Sequence, residues 1–443
     1  MPGACVRAIL MPNMEKNERM SKRFGLLGAM LGLVMIGFLL ACGSSFNSST
    51  DGLLIVGSQG SSALQTFSFT LNNGHVSSIA NPTNDTANET CLLNGSPAGM
   101  VTNPTGTFVF VIFNSSNQCP NATKPGIATF AVGSDGNVKQ VGSLQSDPSP
   151  VSLAMDPAGK FLFVAEGGGV NVYSIGSEGG LTLVPGAYSF VLPPGFFPPN
   201  IVSVAPSPTV FPGTGINGTQ NSVCQAPTNV PPNSQYLYAV DKINNVVWQY
   251  SVNTSTGALG NPPNGSAVAH FATDQVPAGV AVDPCARFAY VSDSLTNKIS
   301  GYTICMAVNA SAGCPNADGS LVPVSGSPFP LSGSANGPGP IAVSPFGNNV
   351  YVVGTLSNTL SGFTISPISG SLTALSPATV ATGTGPVAMT IRADNNWMFV
   401  SNFGSVAQGG STVSQYAITP ATGALSVGQA IQTDNYPFGV AVK

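Results

Sequence analysis

Charged side chains are scarce in this sequence of 443 residues, in which Asp, Glu, Lys and Arg together make up 7%. A soluble domain usually carries about 25%. Disorder does not explain the scarcity, because disordered chains are poor in apolar residues and this chain is 43% hydrophobic. Histidine is rarer still, with His75 and His270 in the whole chain. With so few histidines we find no Ser-His-Asp triad and no histidine metal cluster, and the sequence also contains no phosphate-binding loop motif.

The N-terminus has the features of an export signal. Lys16, Arg19, Lys22 and Arg23 precede an uncharged apolar run over residues 24–40. The run ends in Leu-Leu-Ala-Cys-Gly, which resembles the bacterial lipobox, with cleavage before Cys42 and lipid on its sulfur. An ordinary signal peptide and an uncleaved anchor helix are the alternatives, since the run is close to the minimum spanning length. We expect a signal peptide over 1–41, a flexible tether over 42–51 and a location in the bacterial cell envelope, in the periplasm or at the cell surface.

Positive charge is scarce in the part that follows the signal. Removing residues 1–41 takes away five basic and two acidic residues and leaves 8 basic against 15 acidic ones. A net negative chain is a poor ligand for nucleic acid or for anionic lipid. We therefore expect no nucleic-acid partner, membrane contact through the lipid alone, and a monomer.

Glycine and proline are abundant, with 52 and 37 residues, which is typical of short strands joined by turns. One proline-containing segment recurs about every 57 residues between Pro97 and Pro437. Its copies begin Ser-Pro-Ala-Gly, Ser-Pro-Val-Ser, Pro-Pro-Asn-Ile, Val-Pro-Ala-Gly, Gly-Pro-Gly-Pro, Gly-Pro-Val-Ala and Tyr-Pro-Phe-Gly, at Pro97, Pro150, Pro199, Pro277, Pro338, Pro386 and Pro437. Three further β-patterned segments follow most copies, so each repeat predicts a four-stranded unit.

The two ends of the repeat array complement each other. Residues 53–80 supply a second, third and fourth strand with no first strand before them, and the chain ends on an isolated first strand, 439–442. The sequence predicts an all-β fold over 52–443, a single seven-bladed β-propeller whose first blade is closed by the C-terminal strand. Two separate sandwiches are the alternative.

The cysteines can be sorted by the two faces of such a propeller. Loops between the second and third strands and loops between blades share one face, which we call the mouth face; the remaining loops share the opposite face. This topology favours three disulfides within a face, although free buried cysteines remain the alternative. The expected pairs are Cys91–Cys119, Cys224–Cys285 and Cys305–Cys314.

The repeat resembles the seven-bladed lactonase family that includes 6-phosphogluconolactonase-like enzymes, and surface propellers with Tyr-Val-Thr-Asn repeats. Tyr-Val-Ser-Asp at 290–293 and Phe-Val-Ser-Asn at 399–402 carry the second likeness. The resemblance implies Gly-Pro-Arg-His where this chain has its repeated proline, with Arg and His at the channel mouth. No cationic residue occupies the two positions after any of the seven prolines. Arg287 and Arg392 fall at turns of the opposite face.

A partial ring of acids is expected on the mouth face instead. The second strands end on Glu166, Asp241 and Asp293 in three consecutive blades, Asn402 ends another, and Lys242 adjoins Asp241. Clustered carboxylates could hold a hard cation such as Ca²⁺, or a cationic ligand. Alternatively, each carboxylate bonds the backbone of its own loop.

Two function classes follow. The first is a cell-envelope propeller that acts as a binding or scaffold module for a small molecule, a glycan or a protein at the mouth face. The second is a lactone hydrolase with an atypical carboxylate site. Fold alone does not decide between them.

Overall fold

The computed structural model describes residues 51–79, 96–114, 125–185, 193–208, 210–211, 215–216, 234–261, 269–307, 313–404 and 411–443. All regular secondary structure in these ranges is β-strand. None of these residues forms a helix long and apolar enough to cross a membrane. The predicted lipidation site, Cys42, lies outside the described residues.

Seven antiparallel sheets form the blades, each with a four-strand path. The first blade contains β1 (Asp51–Ser58), β2 (Ala63–Thr70), β3 (Val76–Ser78) and, from the chain end, β32 (Pro437–Val442). The second contains β4 (Ser96–Thr102), β5 (Phe108–Asn114), β6 (Gly126–Val132) and β7 (Val138–Ser146). The third contains β8 (Pro150–Met155), β9 (Phe161–Glu166), β10 (Gly169–Ile175) and β11 (Leu181–Leu183).

The fourth and fifth blades each carry an additional outer strand. The fourth contains β12 (Ile201–Pro206), β15 (Tyr236–Asp241), β16 (Val246–Val252), β17 (Leu259–Gly260) and β18 (Ala269–Ala272), and the hairpin β13 (Val210–Phe211) and β14 (Gly215–Ile216) follows β12. The fifth contains β19 (Pro277–Val282), β20 (Phe288–Asp293), β21 (Lys298–Ile304), β22 (Leu321–Pro323) and β23 (Phe329–Pro330).

The last two blades return to four strands. The sixth contains β24 (Pro338–Val343), β25 (Asn349–Gly354), β26 (Thr359–Ile365) and β27 (Leu372–Ala381). The seventh contains β28 (Pro386–Ile391), β29 (Trp397–Asn402), β30 (Thr412–Ile418) and β31 (Leu425–Gln432).

The closure predicted from the sequence is confirmed. β32 pairs with β1 antiparallel, with Ile55 opposite Ala441 and Val56 opposite Val440. This pairing joins the first and last strands of the propeller in one sheet and removes the free edge that β1 would otherwise present. The predicted domain began at residue 52, and β1 begins one residue earlier, at Asp51.

The second strand of each blade forms the core. β15, β20, β25 and β29 are buried along their whole length. Alternate residues of such a strand point to opposite faces, so a strand between two blades is apolar throughout. In β15, Tyr238 and Val240 pack with residues of the fifth blade, and Leu237 and Ala239 pack with residues of the third.

Tyrosines in the second strands tie neighbouring blades together. Tyr290 Oη donates a 2.7 Å hydrogen bond to the carbonyl of Gly370 in the next blade. Gly370 has a φ of 72°, a left-handed conformation, and a Cβ there would lie 2.5 Å from the Phe288 ring. Only glycine meets both conditions without strain. Tyr238 and Tyr351 make the same 2.7 Å bond to Gly319 and Gly423.

One of the three predicted disulfides is confirmed. Cys305 and Cys314 are bonded with their Cα atoms 5.2 Å apart, and they flank the insertion between β21 and β22. Cys285 is also disulfide-bonded. Its predicted partner Cys224, together with Cys91 and Cys119, lies outside the described residues, so those pairings remain predictions.

Candidate functional site

The first strands of the seven blades line a central cavity of about 410 Å³. Every one of these strands shows a shift of register immediately after its repeated proline or at the equivalent position. Such a bulge places one residue outside the ladder and bends the strand. The bulged residues all line the cavity, and they are Ala98, Val151, Val202, Ala278, Gly339 with Pro340, Val387 and Phe438.

The bulges place the residues that follow the prolines at the wall of the cavity. In the family that the sequence resembles, these are the positions expected to carry Arg and His. Among the residues that the structure places around the cavity, none has an ionisable side chain. The polar side chains there are Ser152 and Ser203, so most of the hydrogen-bonding capacity comes from the backbone of the bulged strands.

Two carboxylates, Glu166 and Asp147, meet beside this cavity at the cleft between the second and third blades. Glu166 ends β9 and lies opposite Pro150, the first residue of the cavity-lining strand β8. Asp147 lies three residues before Pro150 and is fully buried. The amide of Asn171 donates to Oε1 of Glu166 and, at 3.2 Å, to Oδ2 of Asp147. Tyr173 Oη donates to the same Asp147 oxygen at 2.9 Å.

The two carboxyl groups repel each other when both are ionised, and the pKa of Glu166 is raised as a result. Burial, a hydrogen bond shared with Asp147 and the negative charge of Asp147 raise the pKa of Glu166 to about 7. Asp147 Oδ1 is buried and accepts no hydrogen bond from the described residues. A proton held by Glu166 and directed at Asp147 accounts for the raised pKa, because two adjacent carboxylates resist simultaneous ionisation.

Glu166 is also accessible. The loops after the second strand contain four residues in the first, fourth, fifth and sixth blades, but only two, Gly167 and Gly168, in the third. A Cβ at either glycine would meet no atom within 4 Å. The shortened hairpin therefore leaves open space beside a half-buried carboxyl group of raised pKa, which makes this cleft our candidate active site.

Asp241, the second predicted ring member, is engaged by its own surroundings. Its Oδ1 accepts hydrogen bonds from the backbone amides of Asn200 and Ile243, both at 3.1 Å, and of Asn244 at 3.3 Å. Its Oδ2 accepts from the Asn244 amide at 2.7 Å and from Trp248 Nε1 at 3.0 Å. This fully buried carboxylate holds the β15–β16 loop in place.

Asp293 and Asn402 are buried as well. Asp293 Oδ2 accepts hydrogen bonds from the backbone and hydroxyl of Ser300, at 3.0 and 2.7 Å. Asn402 donates to Thr412 and to the hydroxyl of Ser414. Lys242, which adjoins Asp241 in the sequence, is exposed. In the described ranges, no three His, Cys, Asp or Glu side chains form a group that could hold a metal ion. Calcium binding at the mouth remains a prediction from the sequence.

Asp293 makes the stability of the fold depend on pH, and the direction of this dependence follows from its pKa. Burial raises its pKa to about 7, from an ordinary value of 3.8. The folded state therefore holds the proton more tightly than the unfolded state, and stability falls as the pH rises from about 4 through 7. The loss amounts to about 4 kcal/mol at most. Asp293→Asn should flatten this part of the stability curve, as measured by chemical denaturation between pH 4 and 8. An unchanged slope in the variant would contradict this role.

The arginines of the opposite face stabilise turns through hydrogen bonds. Arg287 donates from Nε and a terminal nitrogen to Asp283, at 2.8 and 3.1 Å, and to the carbonyl of Gly347 at 2.8 Å. Arg392 bonds Asp394 and the carbonyl of Lys443. A cavity of about 680 Å³ opens there beside Arg392. Because both guanidinium groups are engaged by protein oxygens, we place the candidate site on the mouth face.

Sequence reasoning found Glu166 but missed Asp147, Asn171 and Tyr173. A signal for Asp147 exists, since an Asp also stands three residues before Pro277 and Pro437, at Asp274 and Asp434. The Gly-Gly-Gly run at 167–169, in place of a longer loop, marks the same blade as different. His75 and His270 lie at a turn of the opposite face and in the outer strand β18.

Comparison with solved structures supports the fold. One similar chain is a putative 6-phosphogluconolactonase from Bacteroides fragilis, with 17% identity and a TM-score of 0.62 over 90% of this chain and 100% of that chain. Another is a putative 6-phosphogluconolactonase from Bacteroides uniformis, with 16% identity and a TM-score of 0.63 over 89% of this chain and 100% of that chain. The periplasmic gluconolactonase PpgL of Pseudomonas aeruginosa is similar to the same degree, with 18% identity and a TM-score of 0.63 over 89% of this chain and 99% of that chain. No curated protein matches significantly.

The sequence itself matches a family over more than half of its length. The match covers residues 58–189 and 319–441, and the family is described as lactonase, 7-bladed β-propeller. The first matched range contains Asp147, Glu166, Asn171 and Tyr173, and the second contains Asn402. By its repeat, its closed ring of blades and this match, the chain belongs to the seven-bladed β-propeller lactonase family.

Proposed function

We propose that this protein hydrolyses a lactone at the mouth face, with Glu166 as the general base. The observation that carries the proposal is the Glu166–Asp147 pair, an accessible carboxyl group with a pKa near 7 beside the central cavity. A base with a pKa near the working pH combines a useful ionised fraction with adequate basicity. Family membership supplies the reaction class.

The reaction would proceed by attack of water on the lactone carbonyl carbon. Glu166 takes one proton from the water as its oxygen bonds to that carbon. The ring C–O bond then breaks, and the proton passes from Glu166 to the departing alkoxide, so that a hydroxy acid leaves. Asp147 and Asn171 position Glu166, since Asn171 bonds both carboxyl groups.

The negative charge that develops on the carbonyl oxygen needs donors. Backbone amides of the bulged strands supply them in this proposal, because a bulged residue lies outside the ladder. Val151, which follows Pro150 and lines the cavity, belongs to the same blade as Glu166.

The test is ring opening by the purified full-length protein at pH 7.5, measured as the release of acid. The panel contains glucono-δ-lactone, 6-phosphoglucono-δ-lactone, δ-decalactone and dihydrocoumarin. We expect at least one to open 100-fold or more faster than in buffer alone, since a general base contributes 10²- to 10⁴-fold. Acceleration of none of the four would contradict the proposal.

A binding module is the second candidate function. It is favoured by the cavity lining, which shows no ionisable side chain among the described residues. In this proposal the propeller holds a ligand at its mouth and the Glu166–Asp147 pair contributes a hydrogen-bonding site. Saturable binding of a panel lactone that remains intact after prolonged incubation would favour this function over hydrolysis.

The cellular setting is part of the proposal. Lipid on Cys42 would hold the propeller at a membrane of the cell envelope through the tether at 42–51. Two or more acyl chains on one residue give stable anchoring, whereas a single chain does not. Substrate would then reach the mouth face from the periplasm or the cell exterior.

A further inference from the structure

The walls of the central cavity are suited to an uncharged ligand. Its side chains are apolar apart from Ser152 and Ser203, and no ionisable group is present among the residues placed there. Ser203 already accepts a hydrogen bond from the backbone of Val280, at 3.2 Å. A phosphate group would lose its hydration in such a cavity without gaining a cationic partner, and that transfer is strongly unfavourable.

The rim of the same face is apolar at a repeated position. Ile243, Leu295 and Leu356 are each the second residue of the loop after the second strand, in three consecutive blades. Their exposed fractions are 49%, 63% and 74%. Single exposed apolar residues are ordinary, but several on one face mark a contact surface. Phe197, 66% exposed, lies on the same face before the fourth blade.

Apolar residues also lie between the rim and the cavity-lining strands. A Cβ on Gly337, directly before the cavity-lining strand β24, would lie 2.6 Å from Cγ of Leu356, so the leucine covers the start of that strand. Farther round the ring, Phe403 packs against Tyr436 and Phe438, with ring centroids 5.0 and 6.1 Å apart. Phe438 also lines the cavity. Apolar side chains are therefore found both on the exposed loops of this face and at the cavity wall.

We propose that the ligand of this mouth is a neutral lactone with an alkyl or aryl substituent, whose ring enters the cavity while the substituent lies on the leucine rim. That the ligand is a lactone rests on the proposed function. The backbone of the bulged strands can bond one carbonyl group, which is what such a ligand offers. A sugar lactone carries several hydroxyl groups that would need side-chain partners.

The experiment separates this inference from the proposed function. Hydrolysis of δ-decalactone, glucono-δ-lactone and 6-phosphoglucono-δ-lactone by the full-length protein is measured at pH 7.5. In parallel, binding of 3-pentylcyclohexanone is measured by calorimetry, because this ketone replaces the ring oxygen of δ-decalactone with CH₂ and cannot be hydrolysed. We expect kcat/KM for δ-decalactone to exceed that for both sugar lactones at least 50-fold, and the ketone to bind.

The outcomes are distinct. If the ketone binds and no lactone opens, lactone hydrolysis fails and the ligand class stands. If a sugar lactone opens at least as well as δ-decalactone and the ketone does not bind, the ligand class is overturned and hydrolysis stands. If the ketone does not bind and nothing opens, both are overturned.

Paired variants locate the substituent. The double substitution Leu295→Asn and Leu356→Asn changes two exposed side chains, so we expect it to fold. It should raise KM for δ-decalactone at least 10-fold and leave kcat within about twofold. Ile368→Asn is the matched control, since Ile368 is 93% exposed on the opposite face and should change neither parameter. An unchanged KM in the double variant would overturn the placement on the rim.

Discussion

Glu166→Gln is expected to lower kcat/KM for lactone opening by at least 100-fold. Glutamine has nearly the same shape but cannot accept the proton of the attacking water, and loss of a general base costs 10²- to 10⁴-fold. Stability should stay the same or rise, because the substitution removes a repulsion with Asp147 and provides a donor for it. Loss of activity without loss of stability is the pattern that a purely structural carboxylate would not give.

The control for this variant lies in the same blade. Glu178→Gln makes the same change of charge at an exposed position in the β10–β11 turn on the opposite face. It should retain full activity on the best lactone of the panel. Activity of Glu166→Gln within threefold of the wild type would exclude Glu166 as the base.

Asp241→Ala is expected to destabilise the fold by about 3 kcal/mol or more. Five donors converge on this carboxylate, among them the backbone amides of Asn200 and Ile243 and Nε1 of the buried Trp248. Each buried donor that loses its partner costs about 1–3 kcal/mol, although such costs are not additive. Denaturant or thermal unfolding of the full-length protein measures the loss.

A second aspartate provides the comparison. Asp135 is an exposed carboxylate that accepts a 3.0 Å bond from the backbone of Asn137 in the β6–β7 turn. Asp135→Ala should change stability by less than about 1 kcal/mol. If Asp241→Ala proved equally mild, the carboxylate would be free to bind a ligand, and the expected role in a cation site would regain support.

The fold could be predicted because its signals are local and repeated. A proline near the start of the first strand and an apolar second strand recur from blade to blade, and closure follows from the orphan strand near residue 440. The Cys305–Cys314 bond followed from blade topology, since both residues flank one insertion. These inferences need the order of the strands but no side-chain geometry.

The site could be predicted only in part. Glu166, Asp241 and Asp293 are equivalent in sequence, yet their hydrogen-bond partners differ in the structure. A four-residue loop turns its backbone amides onto Asp241, whereas the two-residue hairpin after Glu166 cannot. Asp147 reaches Glu166 from the preceding blade connection, a contact that depends on how two blades pack. The exposure of Leu295 and Leu356 likewise required the three-dimensional arrangement.

The most direct measurement is the pH dependence of kcat/KM for the best lactone between pH 5 and 9, with hydrolysis by buffer subtracted. This parameter reports ionisations of the free enzyme. Since burial and Asp147 raise the pKa of Glu166 to about 7, the rate should rise with unit slope on the acid side and level off above an inflection near 7. In Glu166→Gln that inflection should disappear from the residual rate. A wild-type profile without an inflection in this range, or the same inflection in the variant, would contradict the assignment of Glu166 as the base.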